Sequence, residues 1–415
     1  IGINFEKKIL QVKKIIKKNK TDILLVTSPE NVAWILNIRG QDSNFSPIPN
    51  SRLLVNSDGK IILFANVKKI KMIKKTFKNK VLFVSENNLD QTLRKIKNKI
   101  IWLDNQSCSF YYKKLLSSKN KVFQETDPIH FIKSIKNSNE IKNIEKAHLY
   151  DGIALTKFLF WVKQNFKKKK ITEISAQNKL EAFRKMNPNY KFPSFSTISG
   201  SGPNSAIIHY KADRDSNREL KKGDLYLVDS GGQYFYGTTD VTRTLSLENK
   251  SKSIKDIYTR VLKGHIAVSN FKIKKNTTGS EIDYNARKFL KQINLDYPHG
   301  TGHGVGYFLN VHEGPQAISK NNTIKIEDGM ILSNEPGYYK RGKFGIRIEN
   351  LIYAKKIKSR LFFKNLTLAP IEIDLINYKL LNENEKSYLF KYHLEVYSKL
   401  SPFLNKNEKK WLARF

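Results

Sequence analysis

Between residues 225 and 352 the sequence repeatedly delivers an acid to the end of a short β-type run, which limits the chain to folds where several strand ends meet. Leu225-Tyr226-Leu227-Val228 runs into Asp229, and Ser230-Gly231-Gly232 then turns the chain. The returning segment leads into Thr238-Thr239-Asp240-Val241-Thr242-Arg243-Thr244, whose threonines favour a second strand. Adjacent antiparallel strands would bring Asp229 and Asp240 together. Met330-Ile331-Leu332 precedes Ser333-Asn334-Glu335, and Pro336 forbids a helix from continuing there. Residues 345–352 alternate as one strand, with Ile346 and Ile348 on one side and Arg347 and Glu349 on the other. Thr301-Gly302-His303-Gly304 sets a histidine between glycines, which allow close approach of backbone to a ligand.

Taken singly, these features are ordinary: two aspartates are as readily a pair of exposed turn residues, and a lone histidine is usually structural. Together, Asp229, Asp240, Glu335, Glu349 and His303 supply four negative charges and one neutral nitrogen, which balance two divalent cations. Oxygen-dominated ligation with one imidazole suits Mn²⁺ and permits Zn²⁺ or Co²⁺. Two cations ~3.5 to 4 Å apart can hold a bridging water, lower its pKa and stabilise the oxyanion formed on attack. Hydrolysis is the reaction such a site implies.

The rest of the chain supplies the frame. Residues 1–128 read as a small α/β unit: the run Ile23-Leu24-Leu25-Val26 is followed by Ser28-Pro29-Glu30, an N-cap, an N1 proline and an early acid for a helix through Ile35. Asp58-Gly59 between two apolar runs predicts a hairpin, and further strands are expected at 81–84 and 100–103. A second unit, 129–368, opens on a long helix signalled by Asn137 and Glu140 ahead of Ile141, Ile144 and Ala147. Helices are expected again near 253–269 and 279–293, so this unit is α+β. Residues 369–415 lack glycine and suggest a helical extension. The sequence opens on Ile1 and not methionine, so the domain count is read as a lower bound.

Composition excludes several classes. Hydrophobic residues make up 40% and charged residues 27% of 415, which is ordinary globular usage. No apolar run approaches the ~18 residues of a spanning helix, and residues 1–14 lack the apolar core of a signal peptide. The single cysteine, Cys108, excludes an internal disulfide and any cysteine-rich zinc site, which fits a reducing cytoplasm. Lys and Arg total 75 against 37 acids, a net charge of +38. The excess is dispersed lysine among Asn and Ile, arginine is scarce, and no nucleic-acid-binding motif is present, so a solubilising surface is the reading and a specific nucleic-acid partner is not.

The order Asp229, Asp240, His303, Glu335, Glu349, in the contexts VDSGGQYFYGTTDVTRT, HGTGHGVGYFLNVHEGP, SNEPGYY and FGIRIENL, resembles the pita-bread metallopeptidases, and within them the cytosolic type of Xaa-Pro aminopeptidase. The resemblance implies a creatinase-type α/β domain over 1–128, corresponding to the middle domain of that type. A pita-bread (creatinase/aminopeptidase) catalytic domain of α+β class follows over 129–368, with the C-terminal extension over 369–415. Members of this type usually carry another N-terminal domain, which this sequence does not contain.

By the same resemblance, Asp229 binds a first metal, Asp240 and Glu349 bridge, and His303 and Glu335 bind a second, with Glu335 also the general base. His209 and His312 match histidines that contact the scissile carbonyl and its tetrahedral intermediate. His299 matches a further histidine near the prolyl ring, and Arg347 orients carboxylates. The implied reaction cleaves the bond between an N-terminal residue and a penultimate proline, in a cytoplasmic homodimer with no membrane partner. Two rivals stand beside it: a proline dipeptidase of the same fold, and a non-enzymatic protein on this scaffold binding nucleic acid or another acidic partner.

Overall fold

The computed structural model describes residues 2–415; Ile1, where the sequence reading starts its first unit, lies outside the described residues. The chain divides into two compact units at Lys133 and Ser134, five residues beyond the division at 128/129 read from the sequence. Side-chain ties explain the later break. Asp127 accepts from Asn31 Nδ2 at 2.7 Å, Ile129 is fully buried, and His130 Nε2 lies 3.5 Å from Asp104, so the chain stays tied to the first unit as the helix Pro128–Ser134 begins.

In the first unit, strand Ile23–Val26 is central to a six-stranded mixed sheet. It pairs antiparallel with Ser51–Asn56 and parallel with Ile100–Leu103. The Asp58-Gly59 turn joins Ser51–Asn56 to Ile61–Ala65, and Gly59 takes φ 96°, which a side chain would oppose. Helix Pro29–Ile35 forms where expected, although the Ser28 hydroxyl makes no capping bond. The helix Phe5–Lys18 was hidden by its lysines: Ile9, Val12 and Ile16 recur at helical spacing, are buried, and follow an Asn4 cap.

The second unit opens on the long helix Ser138–Asn165, capped reciprocally by Asn137 and Glu140 as their spacing predicts. Its buried Leu155, Phe158, Leu159 and Val162 enter one core with Leu225 and Val228 of strand Leu225–Ser230. Residues 369–415 do not stand apart as a third unit. Leu389, Tyr392, Val396, Leu400 and Trp411 belong to that same core.

Gly302–His303 and Phe344–Arg347 lie in two-stranded sheets, and two three-stranded antiparallel sheets hold others of the segments singled out in the sequence. One places Ile198–Ser201, Leu225–Ser230 and Val241–Ser246 side by side, with Thr242 opposite Asp229. The other places Asn350–Ile357 in the middle, paired with Ile331–Asn334 on one side and Arg360–Asn365 on the other. The single strand expected over 345–352 is broken: Phe344–Arg347 pairs with Gly337–Lys340, whereas Asn350–Ile357 pairs with Ile331–Asn334. The partner run is itself bent at Glu335-Pro336, where proline offers no N–H, so the facing strand must break too. At the break, Ile348 N donates to Pro336 O and Glu349 N to Thr242 O. No helix among the described residues is long and apolar enough to cross a membrane.

Buried histidines set a pH limit on this unit. Burial pushes His265 down to about 3 and His393 down to about 4. An unfolded histidine takes up its proton near pH 6.5, so the stability these groups contribute is complete above that value and is lost as pH falls from about 6.5 toward 4. For His393 the loss is on the order of 2 to 3 kcal/mol. Thermal unfolding of wild type between pH 7 and 4.5 should therefore show a steeper fall in Tm than His393→Gln, and parallel curves would contradict the assignment.

Candidate active site

Strand geometry places each acid. Asp229 is the penultimate residue of Leu225–Ser230, and Asp240 directly precedes Val241, the partner of Ser230. The turn between them must pass close to itself: a Cβ on Gly231 would stand 2.0 Å from Thr239 O. Glu335 follows strand Ile331–Asn334, and Glu349 occupies the break described above. His303 sits on the two-residue strand Gly302–His303, whose Gly302 lies so close to Ser333 O that no side chain fits.

These residues converge in three overlapping groups. Within each, the candidate ligand atoms lie within 4.8 Å of one another: Asp229, Asp240 and Glu349; His303, Glu335 and Glu349; Asp240, His303 and His312. His303 Nδ1 donates to Gly304 O at 2.9 Å, which fixes the tautomer and turns the Nε2 lone pair inward, 3.4 Å from both Asp240 Oδ2 and Glu335 Oε1. Asp229 Oδ1 is buried without a hydrogen-bond partner. Burial, then the nearby Asp229 and Glu335, pushes the Asp240 carboxyl well above the usual carboxylate range. Burial, then Asp240 and Glu335, does the same to Glu349, and burial raises Glu335 against the opposing pull of His303 and Arg347. Crowded acids with an orphaned oxygen and an inward imidazole form a donor set that two divalent cations would satisfy.

Hydroxyls and one arginine hold these acids. Arg347 donates from Nη2 to Asp229 Oδ2 at 2.6 Å, from Nε to Thr242 Oγ1 at 3.1 Å and from Nη1 to the Tyr339 hydroxyl at 2.6 Å. Thr242 Oγ1 in turn donates a hydrogen bond to Glu349 Oε2 at 2.7 Å, and Ser333 Oγ donates to Glu335 Oε1 at 2.9 Å. The sequence reading identified Arg347 but missed Thr242, Ser333 and Tyr339. Thr242 could have been found from strand register, since it faces Asp229.

The remaining predicted residues line the same cavity of about 460 Å³, together with Phe195, Ile198, Ile208 and Tyr210. His209 is held through its neighbour, because the Tyr210 hydroxyl donates to buried Glu173 Oε2 at 2.8 Å. His312 packs edge-on against His303, with ring centroids 4.1 Å apart. The sequence reading gave His312 to substrate alone, and its place in a ligand-distance group with Asp240 and His303 is an additional finding. His299 has both nitrogens occupied: Nδ1 donates to Gly300 O at 2.7 Å and Nε2 accepts from Tyr339 at 2.8 Å. Burial pushes its pKa down to about 4, so its ring faces the cavity neutral and without a spare donor.

Comparison with known proteins agrees with this geometry. Residues 142–356 match metallopeptidase family M24, residues 1–140 the Creatinase/Prolidase N-terminal domain and residues 359–414 the C-terminal region of peptidase_M24. The chain is 39% identical over 98% of its length to a probable Xaa-Pro aminopeptidase P of Laccaria bicolor, and 38% identical over 98% to Xaa-Pro aminopeptidase 1 of Dictyostelium discoideum. It spans 66% of the length of each of these relatives. A crystal structure of X-prolyl aminopeptidase from Caenorhabditis elegans, described as a cytosolic enzyme with a di-nuclear active site, superposes with TM-score 0.94 at 32% identity, covering 100% of this chain and 70% of that one. Xaa-Pro dipeptidase from Bacillus anthracis shares the fold at TM-score 0.73 and 23% identity, covering 89% of this chain and 99% of that one.

The cage makes a testable demand. Mn²⁺ at a hundred times its Kd should stabilise the protein by about 2.7 kcal/mol, read as a rise in Tm after chelation and re-addition. In Asp240→Asn the metal-free protein should be at least as stable as wild type, because one repelling charge is gone, while the Mn²⁺-dependent rise shrinks. An undiminished rise in that variant would remove Asp240 from the metal site.

Proposed function

The chain belongs to metallopeptidase family M24, and on that footing we propose that it is an Xaa-Pro aminopeptidase, a dinuclear-metal hydrolase that releases the first residue of peptides whose second residue is proline. The observation that carries the reading is the overlap of the three ligand groups, in which Asp240, Glu349 and His303 are each counted twice. Asp229 would hold one cation, Asp240 and Glu349 would be shared, and His303 with Glu335 would complete the other. When bound, such a pair supplies Lewis acidity and acidifies a water molecule; Mn²⁺ is the ion we assign, with Zn²⁺ and Co²⁺ as alternatives.

The protein's own residues do the rest. Glu335 serves as general base: Ser333 occupies Oε1, leaving Oε2 to take the proton. His209 and His312 stand in the cavity as donors to the scissile carbonyl and to the oxyanion that follows. Peptide bonds to proline lack an N–H, and the neutral ring of His299 with no free donor offers a wall suited to a pyrrolidine. Arg347 fixes Asp229 and, through Thr242, Glu349.

The dispersed charge of +38 is read as a solubilising surface and not as a site for nucleic acid or membrane. A cytoplasmic setting follows the cytosolic C. elegans relative, and a homodimer is the assembly proposed.

Mass spectrometry of Xaa-Pro-Xaa and Xaa-Pro peptides incubated with Mn²⁺-reconstituted protein tests the reading. Release of the first residue from the longer peptides is expected, with no cleavage of N-acetylated versions. Cleavage confined to dipeptides would make it a dipeptidase, and no cleavage of either would defeat the enzymatic reading. His312→Ala should keep near-normal metal content and lose ~10² to 10³ in kcat, whereas His303→Ala should lose metal first. Metal loss in His312→Ala would assign that imidazole to the cage.

A further inference from the structure

Arg243 is 1% exposed, and its guanidinium has no carboxylate partner among the described residues. It is satisfied by neutral acceptors only. Nε donates to Pro370 O at 2.9 Å; Nη1 donates to Thr242 O at 2.8 Å and Glu349 O at 2.6 Å. Nη2 donates to Asn350 Oδ1 at 2.8 Å, Ala369 O at 2.8 Å and the Tyr392 hydroxyl at 2.9 Å. A buried cation without a counter-ion is costly, and it persists only where every N–H is met by a fixed acceptor. Those acceptors therefore have to be held in place.

They come from separate parts of the chain. Thr242, Glu349 and Asn350 belong to the strand segments that carry the candidate ligands, and only Glu349 among them lines the cavity; Ala369, Pro370 and Tyr392 belong to the C-terminal region. Helix Glu383–Leu400 grips the 369–371 segment: the Tyr392 hydroxyl donates to Ala369 O at 2.6 Å, and Ile371 N donates to His393 Nε2 at 3.1 Å. On the other side, residues 242 and 243 hold Glu349 at three points. Its carbonyl accepts from Arg243, its N–H meets Thr242 O at 3.2 Å, and its Oε2 accepts from Thr242 Oγ1.

We infer that Arg243, completed by Tyr392 of the C-terminal helix, is a positioning residue for Glu349, so that the C-terminal region is a working part of the metal centre. The inference rests on the proposed role of Glu349 as a shared ligand. None of Arg243, Asn350, Ala369, Pro370 or Tyr392 lines the cavity that would receive peptide. Loss of the hub should therefore weaken metal binding and leave peptide recognition intact.

The test is a Mn²⁺ titration of metal-free protein by calorimetry, with metal content measured independently. Tyr392→Phe should bind Mn²⁺ roughly three- to tenfold more weakly, and Arg243→Lys roughly tenfold or more. At saturating Mn²⁺ the Tyr392→Phe enzyme should recover kcat with its peptide KM unchanged. Tyr397→Phe, on the same helix, is the control and should titrate as wild type. A Tyr392→Phe protein with lowered Tm but a wild-type Mn²⁺ titration would reduce the contact to scaffolding and overturn the inference. If Arg243→Lys fails to fold, Tyr392→Phe alone decides. Glu349→Gln with unaltered Mn²⁺ binding would overturn both this inference and the ligand assignment. Wild-type protein that binds Mn²⁺ but cleaves no Xaa-Pro peptide would defeat only the proposed substrate.

Discussion

Four carboxylates share one buried site, and most of the second unit's construction answers their mutual repulsion. Two like charges about 4 Å apart repel by roughly 4 kcal/mol at an effective dielectric constant of about 20, and each is also deprived of water. The raised carboxyls of Asp240, Glu335 and Glu349 express that cost. The chain tolerates it because the acids are mounted on strand ends that the core behind them fixes. Leu225, Val228, Ile346 and Ile348 all belong to the same buried cluster as the long helix.

Mounting four acids at one point requires the sheets to bend there. The bend at Glu335-Pro336 and the matching break after Arg347 place Glu335 and Glu349 at two corners of facing chains, while Asp229 and Asp240 sit at a strand end and its return. A flat, continuous strand over 345–352 would keep Glu349 in a ladder and leave Thr242 O without the Glu349 N–H. The irregular backbone is thus the means by which Glu349 reaches Asp229, Asp240 and His303 together.

What the sequence made legible follows from which signals are local. The acids after apolar runs, the glycines around His303 and the Asn137–Glu140 cap depend on neighbours a few residues away, and each was read as it stands. The helix Phe5–Lys18 was obscured because its buried face is narrow and its lysines dominate the composition. The broken strand was missed because alternation describes side-chain facing and does not report a change of partner. Thr242 and Tyr339 act through contacts across strands, which in-strand alternation does not report, and Ser333 through Glu335 two residues on. Residues 369–415 carry helices as read, Glu383–Leu400 and Lys406–Leu412, but their spacing does not report that the apolar residues pack into the same core as Leu225 and Val228, far earlier in the chain.

Three fully buried arginines surround the acids, and each is compensated differently. Arg184 is matched by Asp151 through Nε at 2.8 Å and Nη2 at 3.2 Å, and its Nη2 also reaches Ser230, next to Asp229. Arg347 is matched by Asp229 itself. Arg243 has neutral acceptors alone. Arg184 is already neutralised by Asp151 and Arg243 spends its N–H groups on neutral acceptors, so only Arg347 meets one of the four carboxylates directly, and the site is left short of positive charge. A mononuclear ion would leave a residue of repulsion between the groups it does not touch, whereas two divalent ions bring the ligand set to neutrality and leave Arg347 to orient Asp229. The arrangement of arginines therefore points to the same stoichiometry as the overlap of the ligand groups, by an argument that uses charge and not distance.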